Sequence, residues 1–448
     1  MTATALSTDL YELTMLAGYF AAGRHESVTA TFELFVRRFP PHRNYLVAAG
    51  LEPLVDYLET LRFTDDEVRW LREHPVFRRV PDEFFEYLRR FRFEGDVSAV
   101  PEGTPVFANE PLVRVTAPLG QAQVIETAAL AFVNFQTAIA SKAARIVHAA
   151  GSRPVMEFGA RRAHGSEAAL YAARAAYLCG FASTSYVEAG RRFGIPLSGT
   201  MAHSWILSAP SEIEAFRRYG DLFGESSALL LDTFDTIEAA RAIVAAGLRP
   251  SAVRLDSGDL LALSRDVRPI LDAGGLHATR ILASGDVDEH VIHQLLSSGA
   301  PIDAFGVGTA VATSIDAPAL AGVYKVVEVN ADGHDRGVMK LSAGKETWPG
   351  RKQVWRVVEE GLASRDIVAL DGEPPRAHAS PLLIPVMRGG RRTASPPTLE
   401  QSRRLHSDAM RALPQALLDL ERPAEHSVEP SDALQHAISA GLRGRPPT

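Results

Sequence analysis

The stretch ALLLDTFDTIEAARAIVAAGLRPSAVRLDSGD (228–259) decides the fold. A short apolar run ends in Asp232 and Asp235. An amphipathic helical stretch (236–247) follows, and a second apolar run ends in Asp256 and Asp259. Apolar runs bounded by polar or glycine residues read as buried strands, and strand–helix–strand alternation reads as a parallel βαβ unit. The same pattern continues outward in PVMEF (154–158), PLSGTMAHS (196–204), RILASGD (280–286) and DAFGVGT (303–309), with DVDEHVIHQLLSSG (286–299) as another helix. These runs predict six consecutive strands of a β/α barrel, a fold that builds its active site at the strand ends. Distinctive chemistry follows each run: Glu157 and Arg161, Thr200 and His203, Asp232, Asp256 and Asp259, Ser284 and Asp286, Thr309. The chain reads as an enzyme with a site assembled from successive strand ends.

The flanks differ. Residues 6–23 have a helical apolar period, with Ser7 or Thr8 placed to cap it. Residues 28–36 alternate like a strand, 47–61 and 65–93 read as helices, and 94–117 as short strands broken by Gly and Pro. A long helix at 121–150 leads into the barrel. Beyond Thr309, GVYKVVEV (322–329) and VMKLS (338–342) around NADGHD read as a hairpin. Segments 345–358 and 365–370 add strands expected to return to the N-terminal sheet. From about Arg422 the text loses its apolar period and reads as a mobile tail or an arm.

With 448 residues the chain has room for two or three domains, and 23% charged residues with a net charge of −7 give no nucleic-acid footprint. No run approaches the roughly 20 apolar residues needed to span a bilayer. No secretory signal is read, so a cytoplasmic enzyme is expected. The one cysteine, Cys179, permits neither an internal disulfide nor a paired-cysteine metal site.

Locally, GTMAHSW (199–205) places His203 near a strand end, where a histidine can serve as base, nucleophile or ligand. In RLDSGD (254–259) two carboxylates flank Ser257 and Gly258, a pattern suited to ribose hydroxyls or hydrated Mg²⁺, while Asp259 is equally placed to cap the next helix. Arg254 on the strand needs an anionic partner. The turns ASGD (283–286, with Ser284 and Gly285) and GVGT (306–309, with Gly308 and Thr309) can cradle phosphate on backbone N–H groups. Together they describe a site for a phosphorylated sugar.

TDLYELTMLAGYF (8–20), MEFGARRAHG (156–165), GTMAHSW (199–205), LLDTFDT (230–236), VRLDSGDL (253–260), FGVGT (305–309), GVYKVV (322–327) and PGRKQVWR (349–356) resemble the nicotinate phosphoribosyltransferase family, in order, over about residues 6–360. The resemblance implies an α/β fold: an irregular, incomplete β/α barrel plus an α/β sandwich domain built from both chain ends. The expected division is 1–120 with 322–395 for the sandwich, 121–321 for the barrel, and 396–448 for a C-terminal helical segment and tail. It implies transfer of phosphoribosyl from phosphoribosyl pyrophosphate (PRPP) to nicotinate in NAD biosynthesis, with ATP and Mg²⁺ as cofactors. ATP hydrolysis would be coupled through a phosphohistidine, with His203 on the modified position. Tyr11 and Thr200 fall on nicotinate contacts, Arg254 on the carboxylate contact, Asp232 on an acidic site residue and Thr309 on a PRPP phosphate contact. Arg161 lies where an anion contact is expected. A homodimer with shared active sites is implied. Some relatives carry a cysteine-liganded zinc; this chain lacks those cysteines, so no zinc is expected.

The nearest rival is nicotinamide phosphoribosyltransferase, with the same fold and a neutral substrate. Quinolinate phosphoribosyltransferase fits GTMAHS less well. A Schiff-base aldolase would need a lysine at a strand end, and none lies between Lys142 and Lys325.

Overall fold

The structure is a computed structural model that describes residues 4–342 and 344–443. Two compact units emerge, one from Met1–Ala138 with Ala319–Thr448 and one from Ile139–Pro318.

In the first unit the two chain ends meet in one sheet. Among the described residues its seven strands run in the order 334–337, 322–331, 29–36, 111–118, 96–99, 384–388, 391–392, with antiparallel neighbours throughout. The interior strand Thr29–Val36 is buried along nearly its whole length, so the polar residues that alternate with its apolar ones are buried too and are partnered, Thr31 by the Thr116 hydroxyl and Glu33 by Lys352. Phe32 stacks on Tyr324 across the pairing, ring centroids 4.9 Å apart, and the Tyr324 hydroxyl donates to the Ala122 carbonyl. The 322–331 strand joins the N-terminal sheet as expected. Segments 352–359 and 362–370 do not. They form a separate sheet with 379–381 and 427–430. A buried Glu33–Lys352 ion pair of 2.8 Å joins this hairpin to the Thr29–Val36 strand.

The text beyond Arg422 is also ordered where described. Ser427–Pro430 pairs in parallel with the 362–370 strand, and Asp432–Arg443 is a helix. The Asn44 amide donates to the carbonyls of Leu417, Asp419 and Arg422 and accepts from Ala424 N–H. Tertiary hydrogen bonds thus supply the order that the local apolar pattern does not. Residues 444–448 of the expected tail lie outside the described residues.

The second unit is a curled, incomplete barrel of parallel strands: β1 (Val155–Glu157), β2 (Ser183–Thr184), β3 (Ala228–Leu230), β4 (Ala252–Leu255), β5 (Arg280–Ala283) and β6 (Ala304–Val307). The order is β2–β1–β6–β5–β4–β3. Five of the six expected strands are present. The sixth, over 196–204, is a loop as far as Ala202, where a short helix begins, and it touches the sheet through a single bridge, Leu197 to Thr184. Its place is taken by β2, two residues within ASTSY. PLSGTMAHS holds too few consecutive apolar residues to bury a strand, and Pro196 lacks the N–H a ladder needs.

Candidate active site

The loops leaving the carboxyl ends of β1 and β3–β6 carry most of the expected residues, and those after β3, β4 and β5 interlock. Asp232 follows β3; its Oδ2 accepts from the Asp256 N–H at 3.1 Å and the Ser257 hydroxyl at 2.5 Å. Its Oδ1 is buried without a hydrogen-bond partner. Arg254, the third residue of β4, is 8% exposed. Its Nη2 donates to Asp256 Oδ1 at 2.6 Å, its Nε to the Ser284 hydroxyl at 2.7 Å and its Nη1 to the Met201 carbonyl at 3.4 Å. Ser284 donates to the same Asp256 oxygen at 2.6 Å. The anionic partner that the strand arginine demanded is therefore Asp256, within the protein.

Gly285 makes this clustering possible. Its φ is +84°, and a Cβ there would fall 1.8 Å from the Asp256 carbonyl oxygen. Only a residue without a side chain lets the β5 loop lie on the β4 loop.

His203 opens the short helix His203–Leu207; its Nδ1 lies 3.1 Å from the Thr233 hydroxyl. Thr200, in the preceding loop, donates to the Ala228 carbonyl of β3 at 2.9 Å. Both residues are thus tied to β3 or its loop, although neither follows a strand of its own. Asp259 is the N-cap of the helix Leu260–Ala273, accepting from Leu261 and Ala262 N–H groups, so its cap role is realised. Gly308 and Thr309 start the helix after β6. Arg161 sits exposed in the turn after β1.

Tyr11 belongs to the other unit, on the helix Leu10–Ala21, and is 46% exposed. Burial and the adjacent Glu12 carboxyl raise its phenol pKa. Three lysines are held in ion pairs. Lys142 is buried between Glu289 and Asp316, Lys325 pairs with Glu126, and Lys352 with Glu33. Of the aromatics, Phe305 is core, whereas Phe234 is 67% exposed beside Asp232. Sequence reasoning passed over Phe158, whose ring lies 5.9 Å from the Arg254 guanidinium. The signal was available: Phe158 is the last residue of an apolar run that ends at a strand end.

An open parallel β/α sheet with its polar residues converging at the strand ends defines an α/β enzyme. Three family models cover most of the chain: the nicotinate phosphoribosyltransferase N-terminal domain over 6–134, the nicotinate phosphoribosyltransferase family over 154–354, and the C-terminal domain over 375–438. A nicotinate phosphoribosyltransferase of Mycobacterium tuberculosis is 45% identical over 424 residues, covering 93% of this chain and 89% of its own. The Bacillus subtilis nicotinate phosphoribosyltransferase is 44% identical over 380 residues, covering 82% and 76%. A crystal structure of human nicotinic acid phosphoribosyltransferase matches with TM-score 0.85 at 29% identity, covering 97% of this chain and 99% of that one. The chain belongs to the nicotinate phosphoribosyltransferase family. Among the described residues no helix is long and apolar enough to cross a membrane.

Proposed function

We propose that the protein transfers the phosphoribosyl group of PRPP to nicotinate, yielding nicotinate mononucleotide and pyrophosphate for NAD biosynthesis. The observation that carries this reading is the strand-end network of Arg254, Asp256, Ser284 and Asp232, within a chain matched over most of its length by the family. The pyridine nitrogen attacks the anomeric carbon; the bond to pyrophosphate breaks, and the leaving group takes the electron pair. Positive charge develops on the ribose ring, which the carboxylates of Asp232 and Asp256 favour electrostatically. The attacking lone pair is free, so no strong general base is needed. Arg254 and Thr200 are assigned to nicotinate. Arg161, Ser284, Gly285, Gly308 and Thr309 are assigned to PRPP, and the exposed Asp259 to the ribose while it caps its helix.

No cluster of three metal-ligating side chains exists among the described residues. The unpartnered Asp232 Oδ1 does suit one carboxylate contact to Mg²⁺ held mainly by substrate phosphates. When bound, Mg²⁺ supplies neutralisation of pyrophosphate charge. ATP is assigned to phosphorylate His203, which is partly exposed and reachable. The modification places negative charge beside the β3 loop. The exposed face of the first helix, with Leu10, Tyr11 and Met15, supports a homodimer in which Tyr11 completes the partner subunit's site.

The test is incubation with PRPP and either nicotinate or nicotinamide, with and without ATP, followed by product chromatography. Nicotinate should be converted with ATP stimulation and nicotinamide poorly; equal turnover of both bases would sink the acid-specific reading.

A further inference from the structure

Glu157 ends β1, is 1% exposed, and has no place in the chemistry above. Its Oε2 accepts the Thr184 hydroxyl at 2.5 Å, and its Oε1 accepts the Gly159 N–H. Among the described residues no cationic side chain forms an ion pair with it. Burial raises its pKa, opposed by the Thr184 hydroxyl, the Gly159 amide and the Arg161 charge. A buried carboxyl with no paired cation is costly, so its two hydrogen bonds matter.

Both bonds lead to loops at the site edge. Thr184 passes the connection on, its hydroxyl oxygen accepting from Tyr186 N–H at 3.0 Å. Gly159 begins the turn that carries Arg161, and its carbonyl accepts from Arg162 and Ala163 N–H groups at 2.8 and 3.1 Å. Gly159 also lies directly on the turn after β6. A Cβ there would sit 2.7 Å from the Gly308 carbonyl oxygen and 2.4 Å from Ala312 Cβ. In the sheet register Glu157 pairs with both Val307 and Thr184, so its side chain stands where three strand ends meet.

We propose that Glu157 is a positioning residue for PRPP, its carboxyl fixing the Arg161 turn against the Gly308–Thr309 turn. The proposal rests on the reading of these two turns as PRPP phosphate contacts. Glu157 touches no substrate. It fixes the base of a long, flexible side chain so that the guanidinium samples fewer positions.

Steady-state kinetics of the full-length enzyme test this. Around metal ligands, loss of a supporting hydrogen-bond partner costs about tenfold or more, and the same scale is expected for the support of this turn. Glu157→Ala should therefore raise the KM for PRPP by about that factor, leaving the KM for nicotinate within about threefold. Glu157→Gln can still accept from Gly159 and donate to Thr184, and should restore PRPP KM to within about threefold of wild type. If Glu157 acts through Arg161, Glu157→Ala added to Arg161→Ala should be no worse than Arg161→Ala alone. Should Glu157→Ala not fold, Thr184→Val removes the bond to Glu157, together with the one from Tyr186 N–H, and leaves the carboxyl in place; a PRPP-selective rise of about threefold is expected.

An unchanged PRPP KM in Glu157→Ala (or in Thr184→Val, if that variant stands in for it) overturns the proposal. So do equal rises in both KM values without rescue by glutamine, and additive effects with Arg161→Ala. If Arg161→Ala itself leaves PRPP KM unchanged, the phosphate-contact reading falls and the proposal falls with it. A strong Arg161→Ala effect beside a silent Glu157→Ala overturns the positioning role alone.

Discussion

Arg254 is already paired when substrate arrives. Its guanidinium holds Asp256, Ser284 and the Met201 carbonyl from three separate nitrogens, a planar, spread fork that the compact ammonium of lysine does not reproduce. Arg254→Ala should lower kcat/KM for nicotinate by about 2–5 kcal/mol of transition-state free energy, raising KM for nicotinate far more than for PRPP. If nicotinate kinetics are unaffected, the substrate carboxylate sits on another residue, with Arg161 the first candidate. For His203, ATP carrying a labelled γ-phosphate should give an acid-labile, base-stable label. His203→Ala should lose both label and ATP stimulation while keeping slow transfer; persistent labelling would place the phosphate elsewhere. At this scale residue types in their motifs were readable, and partners were not. Arg254 showed that an anion was required, but RLDSGD could not show that Asp256 supplies it. Asp259 showed a cap pattern because capping is a local interaction between residues two and three apart.

The first helix carries a buried acid. Glu12 is fully buried, its Oε2 accepting from the Gln123 amide at 3.0 Å, and the same amide nitrogen donates to Glu126, which pairs with Lys325. Burial pushes the Glu12 carboxyl from 4.5 up to about 7; hydrogen bonds from Gln123 and Tyr11 oppose this, and the charges of Glu126 and Asp9 add to it. The folded chain therefore holds a proton that the unfolded chain has released between those two values. Stability must fall as pH rises through that window and level off above it. Glu12→Gln keeps the acceptor and removes the titration. Its stability relative to wild type should improve from pH 5 to pH 8 by at most about 3 kcal/mol, read by denaturant unfolding. A difference independent of pH would refute the assignment. At the other end of the chain, Asn44 makes four hydrogen bonds to segment 417–424. At about 1 kcal/mol net for each, Asn44→Ala should destabilise the fold by about 2–4 kcal/mol. Faster amide exchange over 417–430 should accompany it, and unchanged protection there would show that other contacts hold the segment.

For the whole molecule the prediction concerns assembly. If the homodimer shares its sites, inactive Tyr11→Ala and Arg254→Ala chains, mixed after reversible dissociation, form pairs with one doubly damaged site and one intact site. Random pairing should restore about a quarter of wild-type activity. No recovery, with mixed dimers shown to have formed, would place Tyr11 in the site of its own subunit.

The alternation of ALLLDTFD, helix and AVRLDSGD was enough to identify a parallel β/α unit, because each of those strands is buried and its apolar run is local text. The motif residues at the strand ends were likewise readable, since they lie within a few residues of those runs. β2 was not readable. Two residues, Ser183 and Thr184, have no periodicity, and they become a strand only because β1 offers them an edge. The 196–204 run failed for a local reason: with Pro196 and few consecutive apolar residues it adds only one bridge to the edge that β2 offers. Tertiary structure alone decided the second sheet of the first unit, the ordering of the segment after Arg422, the internal pairing of Arg254 and the junction at Glu157. The sheet, the ordered segment and the Glu157–Thr184 bond join groups far apart in sequence, and Arg254 and its near neighbour Asp256 are set against Ser284 and Asp232 from other loops; the local pattern of a chain does not encode such meetings.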